Sequence, residues 1–246
     1  MRHIIKLLIG LLIIITNSSC LSEIDNYAEP NETLKGTIID KFTGKPMITE
    51  TGALRIKLEE LSWSATPTPE YFGNKQDGTY FNSKIFKGHY RITAENGPFV
   101  PLTDTVEVDI KGVTSHDFVV EPYLHLDITD LQIVDTTFTV KFNITSETDM
   151  YNVLDAKVFV NNTSFVGDGA NIQDYSAQKI DLSTTLTEMV YLTEYSFKVT
   201  QLKRGRTYYM RVGARVDDPI AKKYNYSEIQ EVDAEIGIHI LLRDVI

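Results

Sequence analysis

Phe138-Thr-Val-Lys-Phe-Asn-Ile144 decides the fold, because apolar and polar residues alternate along it without a break. Successive side chains of a β-strand point to opposite faces, so Phe138, Val140, Phe142 and Ile144 share one face. Thr139, Lys141 and Asn143 take the other. The same habit spreads in both directions. Leu124, Leu126 and Ile128 alternate upstream, and Val158 with Val160, then Tyr195, Phe197 and Val199, alternate downstream. Nearer the N-terminus, Leu54, Ile56 and Leu58 are interleaved with Arg55, Lys57 and Glu59. Val106, Val108 and Ile110 follow with Glu107 and Asp109 between them, and Phe118 and Val120 close the series. Asp40 to Pro46 and Gln76-Asp77-Gly78 supply turn residues between the runs. Tyrosine (13) and phenylalanine (11) are plentiful, and helical periodicity is scarce. The expectation is an all-β chain of two tandem β-sandwiches. Glu121-Pro122 sets their boundary, since proline interrupts ladder pairing, giving domains over residues 34–121 and 122–246. A short helix could form around Asn171 to Gln178.

Before the first strand the chain reads differently. Arg2 and Lys6 precede an apolar run from Leu7 to Ile15, and Thr16-Asn-Ser-Ser19 leads into Cys20. That order marks an export signal over residues 1–19, and the run is too short to span a bilayer, which takes about 20 apolar residues. Cys20 is the sole cysteine, so it has no disulfide partner within the chain. The segment ending at Cys20 resembles the bacterial lipobox, with Asn17 where the commonest pattern has leucine. The resemblance implies cleavage before Cys20, acylation of its thiol and a lipid anchor in the outer membrane. Residues 20–33 then form a polar tether. Glu23 and Asp25 within it resemble the acidic surface-export tags of Bacteroidetes lipoproteins, which implies exposure at the cell surface.

Charge excludes one class of partner. The chain has 24 basic and 34 acidic residues, a formal net charge of −10, and loss of Arg2 and Lys6 with the signal makes it more acidic. Such a chain is repelled by phosphates, so nucleic acid is not an expected partner. No catalytic constellation is legible. The P-loop, the G-x-S-x-G elbow and G-x-G-x-x-G are missing. His89, His116, His125 and His239 stand far apart in sequence and form no zinc pattern. His125, between Leu124 and Leu126, is expected on the solvated outer face of its strand. Asp168, Asn171 and Asp174 read as a polar turn, with calcium the alternative. No catalytic residue, metal or cofactor is assigned.

Gly36-Thr-Ile-Ile-Asp40 followed by Thr43-Gly44-Lys45-Pro46 resembles the opening of carboxypeptidase regulatory-like domains. Asp77-Gly78-Thr79-Tyr80-Phe81 and Gly88-His-Tyr-Arg-Ile92 resemble the later elements of that family, and Gly44 and Gly88 are expected at positive φ. In the C-terminal half, Leu202-Lys-Arg-Gly205 and Tyr208-Tyr-Met-Arg-Val-Gly-Ala214 resemble the E–F corner of a fibronectin type III sandwich. That places Tyr208, Met210, Val212 and Ala214 inward and Tyr209, Arg211 and Gly213 outward. A narrower resemblance rests on Leu58-Glu-Glu-Leu-Ser-Trp63, Thr66-Pro-Thr-Pro69, Lys75-Gln-Asp-Gly-Thr79 and Gly97-Pro-Phe-Val-Pro101. These look like a Bacteroidetes lipoprotein family of unassigned function that pairs the two β-domains. Its members tend to be encoded beside TonB-dependent transporters and their substrate-binding lipoproteins, in starch-utilisation-type uptake systems. The resemblance implies a non-catalytic accessory subunit that binds the transporter assembly, its glycan or peptide cargo, or both.

Three residues of the Leu61–Tyr80 insertion stand out as binding candidates: Trp63, the sole tryptophan, with Tyr71 and Phe72. Proline-stiffened aromatics can stack on sugars or on a partner protein; alternatively, Trp63 plugs one end of the sandwich. Ile236, Ile238, Ile240 and Leu242 alternate near the C-terminus. They either complete their own sheet or donate a strand to a neighbour, and donation would suit a structural, fimbria-like or adhesive subunit.

Overall fold

The computed structural model describes residues 28–147, 151–220 and 222–234, with the backbone of 238–240. The signal, Cys20, Glu23, Asp25, Ile236 and Leu242 lie outside the described residues. The chain divides into two units, Met1–Pro30 and Asn31–Ile246, and the second contains all of the regular structure reported below.

Eight strands build the first sandwich. One sheet centres on β1 (Glu32–Asp40), which pairs antiparallel with β4 (Thr79–Ile85) and parallel with β7 (Val113–Ser115) and β8 (Phe118–Val120). The other is antiparallel, in the order β3 (Glu70–Gly73), β2 (Arg55–Glu60), β5 (Gly88–Glu95), β6 (Val106–Ile110). The alternating residues do what period two demands. Leu34 and Ile38 of β1 face Ile56, Leu58, Ile92 and Ile110 across one buried core. Each such side chain is worth about 1.5–3 kcal/mol when fully buried.

The second sandwich has one sheet in the order β13 (Tyr195–Val199), β10 (Thr137–Thr145), β9 (His125–Val134), β17 (Ile238–Ile240). The facing sheet runs β12 (Lys179–Asp181), β11 (Val153–Asn161), β14 (Thr207–Val216), with β15 (Asn225–Tyr226) and β16 (Gln230–Asp233) also on β14. Phe138, Val140, Phe142 and Ile144 all lie in its core, together with Tyr208, Met210, Val212 and Ala214. The tyrosine corner is formed: the Tyr208 hydroxyl accepts a bond from the Lys203 amide at 3.1 Å. Of the alternating residues near the C-terminus, Ile238 and Ile240 pair within the chain: β17 runs antiparallel to β9, with Ile238 opposite Val134.

Three expectations need correcting. The Leu61–Tyr80 insertion is not all loop, because Glu70–Gly73 joins the edge of β2. Residues 171–178 form turns, closed by bonds from the Tyr175 and Ser176 amides to the Ile172 carbonyl. The helix is instead α1 (Thr187–Leu192), between β12 and β13. Gly44 has φ +68°, as expected, but Gly88 is not among the glycines at positive φ. Gly88 is needed for space, since a Cβ there would lie 2.8 Å from Ser62 Oγ and Glu60 Oε1.

Candidate functional site

The two sandwiches meet where β1 ends and β9 begins. At Asp40 the D-x-x-T-G-x-P turn folds back on its own carboxylate, which accepts from the Phe42 amide at 2.8 Å and the Thr43 hydroxyl at 2.8 Å. His125, the first residue of β9, reaches that same carboxylate, with Nε2 to Asp40 Oδ2 at 2.7 Å. His125 is therefore not a solvated outer-face residue. The neighbouring domain takes the place of water beside it. Burial pushes the Asp40 carboxyl up, but the bonds from His125, Phe42 and Thr43 outweigh it and hold the group below its ordinary value.

A second polar seam lies deeper. Arg211 of β14 points away from the core of its own sandwich yet has 0% exposure. Its Nη1 donates to the Thr49 carbonyl of the first sandwich at 2.8 Å, and its guanidinium lies 3.7 Å from the centre of the Tyr226 ring. Desolvation drives its pKa down to about 10. The loop over it is held to both domains. Glu50 Oε2 accepts from the Gly169 amide at 2.9 Å, and Gln76 bonds the Ser164 carbonyl and the Val166 amide at 2.7 and 3.2 Å. Phe159, Val166, Tyr224 and Tyr226 form a small third core here. Asn225 closes the seam by donating to the Pro98 carbonyl at 2.8 Å.

These contacts frame a cleft of roughly 430 Å³ between the sandwiches. Pro46, Ile48 and Ile229 give it apolar walls, while Lys45, Asp77 and Glu228 supply charge. A second hollow of roughly 240 Å³ shares Lys45, Pro46, Ile48 and Glu228 with it and extends to Asp127 and Tyr226. Its wall residue His125 packs edge-on against Phe42, 6.1 Å between ring centres, and Phe42 is 38% exposed. Aromatic, aliphatic and hydrogen-bonding groups thus converge on a concave surface, the usual make-up of a binding site. Asp77 is held below the ordinary carboxylate range, chiefly by the Thr79 hydroxyl and amide against a smaller push from burial. A carboxylate serving as a general acid needs the opposite shift. Asp40 and Asp77 suit the cleft as fixed hydrogen-bond acceptors.

The three aromatic candidates of the insertion do not form one site. Trp63 is 76% exposed and does not plug the sandwich; its indole N–H donates to Glu60 Oε1 at 2.9 Å. Tyr71 is exposed on the outer face of β3, with the Arg55 guanidinium 4.0 Å from its ring centre. Phe72 alternates to the other side, packs on the first core and meets Tyr80 edge-on at 5.9 Å. The exposure of Trp63 removes the plug alternative, and the alternation of β3 turns Phe72 inward. Asp168 is engaged by Lys157 at 3.7 Å, and the Asn171 amide caps the Gly167 and Asp168 carbonyls. Sequence reasoning missed the cleft because its residues come from three separated segments. The one local signal was the turn at Asp40; its pairing with His125 spans 85 residues and left none.

Residues 32–121 match a family model described as "Protein of unknown function (DUF3823) N-terminal domain", and residues 125–231 match "Domain of unknown function (DUF3823_C)". No curated protein matches the sequence. Among solved structures, a DUF3823 family protein from Bacteroides uniformis is 28% identical, with a TM-score of 0.75 over 83% of this chain and 99% of that one. A "putative carbohydrate binding protein" from the same species is 21% identical, with a TM-score of 0.69 over 83% and 99%. A DUF3823 family protein from Parabacteroides merdae is 21% identical, with a TM-score of 0.66 over 84% and 100%. With both of its sandwiches matched, the chain belongs to the DUF3823 family.

Proposed function

We propose that this protein is a non-catalytic surface lipoprotein that binds carbohydrate in the seam cleft, as an accessory subunit of an outer-membrane TonB-dependent uptake complex. The observation that carries the reading is the cleft itself. Its walls come from both sandwiches, and the Arg211–Thr49 bond holds them together before any ligand arrives. A preformed site loses little ordering entropy on binding. Pro46, Ile48 and Ile229 offer apolar surface to the C–H faces of a sugar, and Lys45, Asp77 and Glu228 offer partners to its hydroxyls. The Bacteroides uniformis structure with carbohydrate binding in its name supports this choice of ligand over peptide. The lipobox-like segment at Cys20 supports the anchor, and the acidic residues Glu23 and Asp25 support surface exposure. The transporter partnership rests on the resemblance to lipoproteins of starch-utilisation-type systems.

The lowered pKa of Asp40 and Asp77 suits neither to the general-acid role in glycoside hydrolysis, which needs a carboxyl kept protonated. The fimbria-like alternative needs a strand free to pair with a neighbour, whereas Ile238–Ile240 already pairs with β9 of its own chain.

Glycan-array screening followed by titration calorimetry tests the reading, with Ile48→Arg as the blocking variant. The wild type should bind a glycan, and the variant should melt normally yet bind at least about tenfold more weakly, roughly 1.4 kcal/mol. Equal binding by the two proteins would remove the cleft as the site. Detergent-solubilised outer membrane should yield a TonB-dependent transporter with the affinity-captured protein.

A further inference from the structure

The first sandwich has a second end, remote from the seam, and its surface chemistry differs from the rest of the molecule. There the chain enters β1: Glu32 pairs with Ile85, and the Thr33 amide bonds the Gly112 carbonyl at 2.8 Å. Gly88 pairs with Ile110, and the His89 amide bonds Ser62 Oγ at 2.9 Å. These contacts gather Leu61–Trp63, Ile85–Gly88 and Ile110–Val113 at that one end.

Apolar side chains stand in solvent on all three segments: Trp63 at 76% exposure, Phe86 at 42% and Val113 at 65%. Among them are three exposed lysines, Lys84, Lys87 and Lys111, and none makes an ion pair among the described residues. Three carboxylates stand at the same end and balance that charge, each held by a hydrogen bond. Glu32 accepts from the Gly112 amide, Glu60 from the Trp63 indole, and Asp109 from His89 at 2.8 Å.

We infer that this end rests on a bilayer, with Trp63, Phe86 and Val113 at the level of the headgroups and the lysines on lipid phosphates. Tryptophan with flanking lysine is the composition that settles at membrane interfaces, with ring apolar and N–H wet. Composition and reach together choose this occupant. The inference rests on the proposed anchor at Cys20, which is separated from Glu32 by eleven residues. Fully extended, they span at most about 40 Å, so the end where the chain enters β1 is the one a short tether holds nearest the membrane. The same orientation would point the seam cleft outward.

Trp63 is the only tryptophan, so emission from the intact protein reports this end alone. The mature protein, isolated from membranes, is reconstituted into vesicles of phosphatidylethanolamine and phosphatidylglycerol, with and without brominated acyl chains. Contact predicts a blue-shifted emission that is quenched in the brominated vesicles, since the indole then lies at the headgroup–acyl boundary, and quenched much less in the Lys84→Glu, Lys87→Glu, Lys111→Glu variant. Unquenched emission at the wavelength of an exposed indole would overturn the inference. Vesicle flotation and the mass of the N-terminal peptide read the anchor separately. A floating, acylated protein with unquenched Trp63 sinks only the contact, and a quenched protein without acyl chains sinks only the anchor.

Discussion

Each sandwich has a sheet whose outward residues alternate with core residues, and the two outward faces meet opposite fates. On the first sandwich, Arg55, Lys57, Arg91 and His89 stand among Glu59, Glu95, Glu107 and Asp109 at the surface. Their ion pairs run from 2.7 to 3.9 Å, and water reaches most of them. On the second, Arg211 and Phe159 occupy equivalent outward positions, yet both have 0% exposure. The covering layer is made by the 162–170 loop, Tyr224 and Tyr226, and residues 49–50 of the other domain. Alternation therefore tells which side chains leave a core. It does not tell what covers them afterwards, and here that second layer turns two sandwiches into one body with a cleft.

The contrast fixes an order of mutational effects. Arg211→Ala should cost most, about 3 kcal/mol or more, because it removes a buried cation and leaves the Thr49 carbonyl and the Tyr226 ring without their partner. Its melting transition should also split or broaden in calorimetry as the sandwiches uncouple. Asp155→Asn comes next, at about 2–3 kcal/mol by urea unfolding. Asp155 is 2% exposed and accepts from Arg215 at 2.9 Å, Lys179 at 3.2 Å and the Tyr224 hydroxyl at 2.7 Å. Tyr208→Phe should cost about 1 kcal/mol, the net worth of one corner hydrogen bond. Arg91→Ala on the first sandwich should fall within about 0.5 kcal/mol, as exposed pairs do. A loss at Arg91 comparable to that at Arg211 would break the distinction between the two faces.

Acid should sharpen the same contrast. Burial pushes the Asp155 carboxyl up, but Tyr224, Arg215 and Lys179 pull it below its ordinary value, and Asp40 is likewise lowered. A carboxyl depressed in the folded state stabilises fully above its unfolded pKa, near 3.9, and loses that contribution as pH falls through the folded value. Stability should hold from neutral pH to about 5 and drop below about 4, more steeply in the wild type than in Asp155→Asn. His89 shifts the other way. Asp109 and Glu107 raise its pKa, so its contribution is complete below about 6.5 and is lost as pH rises through the folded value. On an exposed face that loss should be barely measurable in the melting temperature.

Strands, cores and the tyrosine corner were legible because period two and corner spacing are local properties. Phe138 to Ile144 and Tyr208 to Ala214 went to the core as written. The turn at Asp40 was legible too, because its carboxylate bonds the next two or three residues. What escaped the sequence was long-range. The 162-residue separation between Arg211 and Thr49 leaves no local trace, and His125 reads as a surface residue until Asp40 is brought against it. Tyr71 and Phe72 were flagged together for their chemistry, but the edge strand β3 sends them to opposite faces.

Amide chemical-shift mapping with the glycan selected by the array tests the central claim most directly. A cleft built jointly predicts perturbations at Lys45, Met47, Ile48 and Asp77 of the first sandwich together with Glu228–Ile229 of the second, all saturating with one dissociation constant. Shifts confined to a single sandwich, or centred on Trp63 and Tyr71 with the seam silent, would contradict it.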